Sequence, residues 1–412
     1  METEPKNSVK IRDNALSKIQ VGFLCYDLQP FTEDCLYRVS EAIAPIRLKA
    51  YPVIFHPYQE KARFPYYPSF VKGRFWGVNI EGSTPEGLAS NINWSTAWKC
   101  VRESDIIFLF GLQGATALLT SLLATLMRRT LISVNQTMPQ EWERKRRWWV
   151  RLLKKWLLNR CKFHIYQTPA TKEVLVSIYR IHENCMFYAP FEAGARWFKS
   201  LLEQHSKERD NTRSGLGLTN EVIFLFVGNL HPFKGVPDLI KAASRLDEKA
   251  RFFCVFAGPE EPRNKIGGTI EYYMDLARKL GMEHRVRFLG PLSAERLASL
   301  YWVADVVVLP TYRDMFPKVL VEGALAAKPI ITTNANGAAG TIVINGYNGF
   351  VMEPGDLGSL TAAMARLLDI ELRKKMGDRS LEIVSRFCDK EAEAEGYFVA
   401  IKHALSLKAI EG

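Results

Sequence analysis

The sequence predicts an α/β protein built from two doubly wound domains facing each other across a cleft, and three observations predict it. From residue 222 onward, short apolar runs alternate with helical patterns. The first half repeats the alternation less regularly, and a polar stretch with Gly-containing turns, "LLEQHSKERDNTRSGLGLTN" (201–220), separates the two as a linker. Short strands alternating with longer helices require parallel strands joined by helical crossovers. A chain of 412 residues is also long for a single core. The first domain is expected at 20–195 and the second at 215–385, with a C-terminal helix near 388–410 packing back on the first.

In the first half the strands are read from "VGFLCYDL", "YPVIFH", "DIIFLF", "RTLISVN", "FHIYQT" and "MFYAP". Between 57 and 95 lies an aromatic, Gly- and Pro-containing insertion without a clear period, the kind of long loop that carries specificity. The uncharged run "LFGLQGATALLTSLLATLM" (109–127) is long enough to suggest a membrane span. Its glycines and hydroxyl residues, and its start inside a strand-like run, favour a strand followed by a buried helix.

The second half reads "VIFLFVGN", a helix near 236–246, "FFCVFAG", a helix near 270–281, "VRFLG", a helix near 293–302 and "VVVLP". It continues through a helix over 317–327, "PIITT", "GFVM" and a helix near 356–368. Pro317 suits the first position of its helix, because a helix start has no use for the N–H that proline lacks. The preceding loop therefore delivers exposed backbone N–H groups at a helix N-terminus, an anion site.

Two acids flank that site, Asp314 and Glu322. Glu322 lies among Val, Leu, Gly and Ala, where an acid without a partner is costly. Carboxylates repel phosphate and accept hydrogen bonds from hydroxyls, so a ligand with diols on either side of a diphosphate, a nucleotide sugar, satisfies both. In "FVGNLHPFKGVPDLI" (226–240), Lys234 follows a strand and precedes a helix, placed to meet the diphosphate as a point charge.

Composition fits an ordinary soluble protein, 47% hydrophobic and 24% charged, with a net charge of +11. The seven cysteines are dispersed, without a C-x-x-C, and several lie in apolar runs, as expected of buried thiols in a reducing, cytoplasmic compartment. The polar start lacks the apolar core of a signal peptide, so the sequons "NWS" and "NQT" are read as chance matches.

The run from 222 to 369, quoted as "FVGNLHPFKG", "RVRFLG", "LYWVADVVVLPTYRDMFPKVLVEGALAAKPIITTN" and "NGYNGFVMEPGD", resembles the donor domain of retaining glycosyltransferases of family 4, which have the GT-B fold. The first half matches that family only in layout. The resemblance implies that Lys234 binds the donor diphosphate, Glu322 the ribose hydroxyls and Asp314 the transferred sugar, these three being the candidate catalytic residues. It adds Gly228 and Asn229 at the strand end, Arg287, Phe288 and Leu289 along the base pocket, and Met315, Phe316, Pro317, Lys318 and Val319 beside the phosphates or sugar. It implies a UDP- or GDP-sugar as co-substrate, no other cofactor, and a front-face displacement in which the leaving diphosphate takes the acceptor's proton. Metal independence is expected because Lys234 and the helix N-terminus supply the positive field, and no His/Cys cluster has ligand spacing.

The chain departs from the family pattern at several positions. Asn229 replaces a common Arg, for which His231 or an Arg of the other domain could substitute, and Asp314 replaces a Glu. Thr341 stands in a loop that often holds a Glu, Asn135 stands where a His commonly ends its strand, and "DLQPFTEDC" replaces a Gly-rich loop. Asn135 and Glu33 of that loop are the candidates on the acceptor side.

One further stretch, "PQEWERKRRWWVRLLKKWLLNRCK" (139–162), is expected as a single amphipathic helix. Trp148, Trp149, Leu152, Leu153, Trp156 and Leu157 fall on one side, with Arg144, Arg147, Arg151, Lys154 and Lys155 opposite. Two readings stand: an interfacial helix on anionic lipid at the inner membrane face, or a core-packed helix with solvated charges. They correspond to a glycan or lipid-linked acceptor and to a small soluble one. A non-catalytic nucleotide-sugar binder is the third reading. No nucleic-acid-binding module is recognised.

Overall fold

The computed structural model describes residues 18–27, 39, 46–54, 93–111, 115–190, 195–206, 209–261, 268–387 and 390–411. Glu33, the loop around it, and nearly all of the insertion from 57 lie outside the described residues.

The first half forms one sheet from β1 (Gln20–Asp27), β2 (Arg47–Ile54), β3 (Ile106–Phe110), β4 (Thr130–Asn135), β5 (Phe163–Tyr166) and β6 (Met186–Tyr188), in the order β2-β1-β3-β4-β5-β6. The second half forms another from β7 (Val222–Val227), β8 (Phe252–Ala257), β9 (Val286–Phe288), β10 (Val306–Leu309), β11 (Ile330–Thr333) and β12 (Gly349–Met352), in the order β12-β11-β10-β7-β8-β9. Neighbouring strands are parallel throughout both sheets. Runs such as "VIFLFV" are buried at every position, as strands covered on both faces must be.

The order of each sheet reverses once, between β1 and β3 in the first and between β7 and β10 in the second. At such a switch point the helices leave to opposite faces and a crevice opens at the carboxyl ends of the strands.

On one face of the first sheet lie α1 (Trp94–Glu103), α2 (Ala115–Leu126), α4 (Trp148–Leu158) and α5 (Pro169–Ser177), whose Cys100, Ala124, Leu158 and Val174 share a core with Ile107 and Leu131. Between β4 and α4 comes the short α3 (Gln140–Arg144). The other face is covered by the C-terminal helix, α14 (Lys390–Glu411), through Tyr397, Ala400, Ile401 and Ala404. The helices of the second half are α6 (Ala195–Gln204), α7 (Arg209–Gly215), α8 (Val236–Ala243), α9 (Ile270–Lys279), α10 (Ala294–Val303), α11 (Lys318–Leu325), α12 (Leu357–Arg366) and α13 (Ile370–Phe387).

Four expectations are corrected. The stretch 201–220 is no linker: Leu201 and Leu202 of α6 are in the second core, and Arg213 of α7 donates to the Val303 carbonyl at 3.2 Å. The basic amphipathic stretch is two helices, broken at 145–147. Pro317 caps α11 from outside, so the helix begins at Lys318. Helix α2 is only half buried, with Thr116, Thr120 and Ser121 inside and Leu122 and Leu126 exposed. No helix of the described residues is long and apolar enough to cross a membrane.

Of the five described cysteines, four are buried. Asn93 of the first sequon caps α1 by accepting from the Thr96 N–H, and Asn135 of the second is buried in β4.

Candidate functional site

The site is built on the two strands at the switch point of the second sheet. Strand β7 runs into Gly228, exposed Asn229 and a turn of 3-10 helix over Pro232–Lys234. Gly235 then starts α8 with φ +81, and a Cβ there would sit 2.1 Å from the Pro310 carbonyl oxygen. Only glycine lets this turn lie against the end of β10.

The loop after β10 is tied to that turn at one atom. The Phe233 carbonyl accepts from the Tyr312 N–H at 2.7 Å and from the Thr311 hydroxyl at 3.3 Å. On its other side the Asp314 N–H donates to Ala335 and the Gly337 N–H to Met315, each at 3.0 Å. Phe316 and Pro317 are buried, whereas Met315 is exposed. Its N-cap residue, Pro317, makes no side-chain cap to α11, so the first turn keeps the character of an anion site.

These ties bring Lys234 and Asp314 together, with Nζ 2.5 Å from Oδ2 in a half-buried ion pair. The sequence reading assigned the two to different parts of a ligand. In this structure each neutralises the other.

Glu322 lies on α11 with Oε2 accepting from the Tyr301 hydroxyl at 2.8 Å. Burial pushes its carboxyl up, against the opposing hydrogen bond from Tyr301 and the charge of Lys318. The partner that an acid in this position requires is therefore a tyrosine on α10, which its place in "SLYWVAD" does not reveal. Tyr301 also reaches the Val319 carbonyl at 3.2 Å, fixing the first turn of α11.

His231 accepts from the Phe233 N–H at Nδ1, and its ring lies 3.9 Å from that of Phe233. Burial lowers its proton affinity, and nearby Arg313 and Lys234 lower it further against the pull of Glu261.

The expected base-pocket segment is only partly at the site. Leu289 extends β9 by donating to the Phe256 carbonyl at 2.9 Å, and Phe288 stacks on Phe256 at 4.6 Å. Arg287 is turned away: its guanidinium lies over Phe253, on the strand-start side of its register partner Val255, and donates to the carbonyls of Val286 and His284.

On the facing half, Asn135 ends β4 with its amide turned into the sheet. Its Nδ2 donates to Ser133 Oγ at 2.7 Å and to the Ile165 carbonyl at 3.2 Å. Ser133 Oγ is 2.7 Å from His164 Nδ1, and because Asn135 donates to this hydroxyl, the hydroxyl proton is directed at the imidazole. Burial pushes His164 down to about 4 and keeps it neutral. Thr341 turns its hydroxyl onto the carbonyls of Gly337 and Ala338, a local role in the loop.

Of the candidates for a membrane surface, Trp148, Trp149 and Arg147 are exposed, as are Arg144 and the neighbouring Leu152 and Leu153. Arg151, Lys155 and Trp156 are half-buried. Lys154 departs from the expected charged edge: it turns inward to Glu143 at 3.2 Å.

Residues 208–382 match the family described as glycosyl transferases group 1. The D-inositol 3-phosphate glycosyltransferase of Corynebacterium diphtheriae is 28% identical over 244 residues, which is 58% of this chain and 55% of that protein. The counterpart from Corynebacterium glutamicum is 32% identical over 186 residues, covering 44% of this chain and 43% of the other. The chain thus spans about half the length of the curated relatives it matches. The backbone superposes on a glycosyltransferase from Rickettsia africae with a TM-score of 0.70 at 15% identity, covering 94% of this chain and 99% of that one. It superposes on Anabaena HepE, solved in complex with UDP and glucose, with a TM-score of 0.67 at 18% identity over 94% and 99% of the two chains.

Proposed function

We propose that the protein, whose residues 208–382 match the glycosyl transferases of group 1 and whose fold is GT-B, transfers a sugar from a nucleotide-sugar donor, a UDP- or GDP-sugar, with retention of configuration. The observation that carries the reading is the convergence of Lys234, Asp314 and the α11 N-terminus at the β7/β10 switch point, with Glu322 on the same helix. Donor binding separates the Lys234–Asp314 pair by drawing the lysine to the diphosphate. The lysine then faces phosphate, and Asp314 is released to accept from the sugar hydroxyls. Glu322, held by Tyr301, accepts from the ribose. These groups and the helix dipole stabilise charge on the leaving diphosphate, so transfer proceeds without a metal.

The acceptor side is read from the first half. A cationic, aromatic face on α3 and α4 with Trp148, Trp149, Leu152 and Leu153 exposed supports a lipid-linked or growing glycan acceptor, met at an anionic inner membrane face.

Calorimetry with UDP, GDP and ADP tests the donor site. Lys234→Ala and Glu322→Ala are each expected to weaken the preferred nucleotide about tenfold or more, the worth of one charge-assisted hydrogen bond. Unchanged affinity in both variants removes the assignment. Transfer is expected to continue in excess EDTA, and activity that vanished with the chelator and returned with Mg²⁺ would overturn metal independence. Hydrolysis and transfer assays over a donor panel separate an enzyme from a non-catalytic binder.

A further inference from the structure

We propose that Arg313 is the second cation of the diphosphate site, held ready between two aromatic rings until the donor enters. The proposal rests on the donor-site reading above and assigns a residue which that reading leaves on the surface.

The placement is specific. The Arg313 guanidinium lies 4.8 Å from the ring of Phe233 in the β7 turn and 5.6 Å from the ring of Trp142 on α3. Phe233 belongs to the second sheet's switch point and Trp142 to the other half of the chain, so the guanidinium lies in the cleft. Lys234 Nζ is 5.4 Å from the same Phe233 ring. Around one aromatic side chain, then, stand Lys234, Arg313 and the ring of His231.

The backbone of Arg313 is fixed, because its N–H donates to Thr311 Oγ1 at 3.3 Å and its carbonyl accepts from the same hydroxyl at 2.9 Å. Its side chain is not: the guanidinium is exposed, lies against the two rings and acts on His231 through charge alone.

The charges require such a group. Lys234 and Asp314 form a pair that is close to neutral, Asn229 at the end of β7 carries no charge, and His231 is held toward its neutral form. Among the described residues, the positive charge at the turn without an ion-pair partner is that of Arg313. A diphosphate arriving at the α11 N-terminus meets one lysine already shared with a carboxylate, and a guanidinium fork is the group that grips two phosphate oxygens at once. Stacking of an exposed guanidinium on aromatic faces is weak, so its transfer to phosphate costs little.

The experiment compares nucleoside diphosphate, monophosphate and nucleoside, of whichever base the wild type prefers, by calorimetry on Arg313→Ala, Arg313→Lys and Lys234→Ala. Arg313→Ala is expected to weaken the diphosphate about tenfold, the monophosphate less and the nucleoside not at all. Arg313→Lys is expected to recover part of the loss, since an ammonium replaces the charge and not the fork. Diphosphate affinity equal to wild type in Arg313→Ala overturns the proposal, and so does an equal loss for all three ligands, which would make Arg313 a packing residue of the cleft. If Lys234→Ala loses diphosphate affinity while Arg313→Ala does not, this proposal alone fails. If neither variant matters, or wild type binds no nucleotide, the donor-site reading falls with it.

Discussion

Tyr301 opposes the effect of burial on the acid it touches. Its own proton is secure, because burial and the neighbouring carboxylate push its pKa well above the ordinary tyrosine value. It therefore remains the donor to Glu322. Glu322 accepts from a ribose hydroxyl most strongly when ionised, and burial raises its pKa while the Tyr301 hydrogen bond opposes the rise. Donor affinity is thus expected to fall as pH drops through the folded-state pKa of Glu322. Tyr301→Phe removes a lowering influence, so in the variant the fall begins at higher pH. Stability runs the opposite way: a carboxyl with a raised folded pKa costs stability above that pKa and relaxes as pH falls through it. The variant should lose about 1.5–3 kcal/mol at neutral pH, as for a hydrogen bond to a charged group, and less in acid. A pH series of nucleotide calorimetry with thermal melts checks both, and superimposable pH profiles would remove the positioning role. Lys234, Asp314 and Glu322 were legible in the sequence because an acid in an apolar helix and a Lys-Gly before a helix are local anomalies. Tyr301 and Arg313 were not, because a tyrosine in a buried helix looks like packing and a loop arginine looks like surface.

At the level of elements, helical periodicity runs unbroken through 139–162, yet the chain breaks at 145–147. The cause is Glu143, fully buried, which binds Lys154 Nζ at 3.2 Å, Arg146 Nε at 3.5 Å and the Tyr179 hydroxyl at 2.8 Å. To keep this acid paired, α3 must turn inward and α4 must present Lys154 to it, which rotates the tryptophans out. The long-range partner, Tyr179, is what no local pattern contains. Helix α4 then packs on the sheet through Leu157 and Leu158 at its end, leaving Trp148 71% and Leu152 57% exposed. Trp148→Ser with Leu152→Ser is therefore expected to change stability by no more than about 0.5 kcal/mol, as for surface positions. The same pair of changes should markedly reduce flotation with anionic vesicles at low salt. A wild type that fails to float, or a double variant that floats equally well, would favour the soluble-acceptor reading.

Over the whole molecule, the alternation of strands and helices revealed both sheets, while the connection between them was misread. The polar stretch 201–220 folds onto the second core, and the return to the first half is made by α13 and α14. Phe387, at the end of α13, stacks 6.3 Å from Phe316 of the loop after β10 and lies 6.4 Å from Tyr188 of β6, so the crossover touches both halves. Helix α14 then lies across the first sheet, with Tyr397 against Phe23 and Phe108 at 5.6 Å each. Gly396 permits the approach: a Cβ there would sit 2.1 Å from the Tyr188 carbonyl oxygen and 2.7 Å from Ala189 Cβ. Helix propensity alone predicts that Gly396→Ala stabilises α14 by about 1 kcal/mol. The contact predicts the reverse, a loss of about 1–3 kcal/mol as the helix is forced off the sheet. Because no described residue of α14 is in the second core, the loss should fall on the first half. Calorimetric unfolding of Gly396→Ala is expected to show the first domain melting earlier and nucleotide affinity unchanged, with transfer to acceptor reduced. A variant that melts later than wild type would mean that α14 is not seated on the first sheet as closely as Gly396 allows.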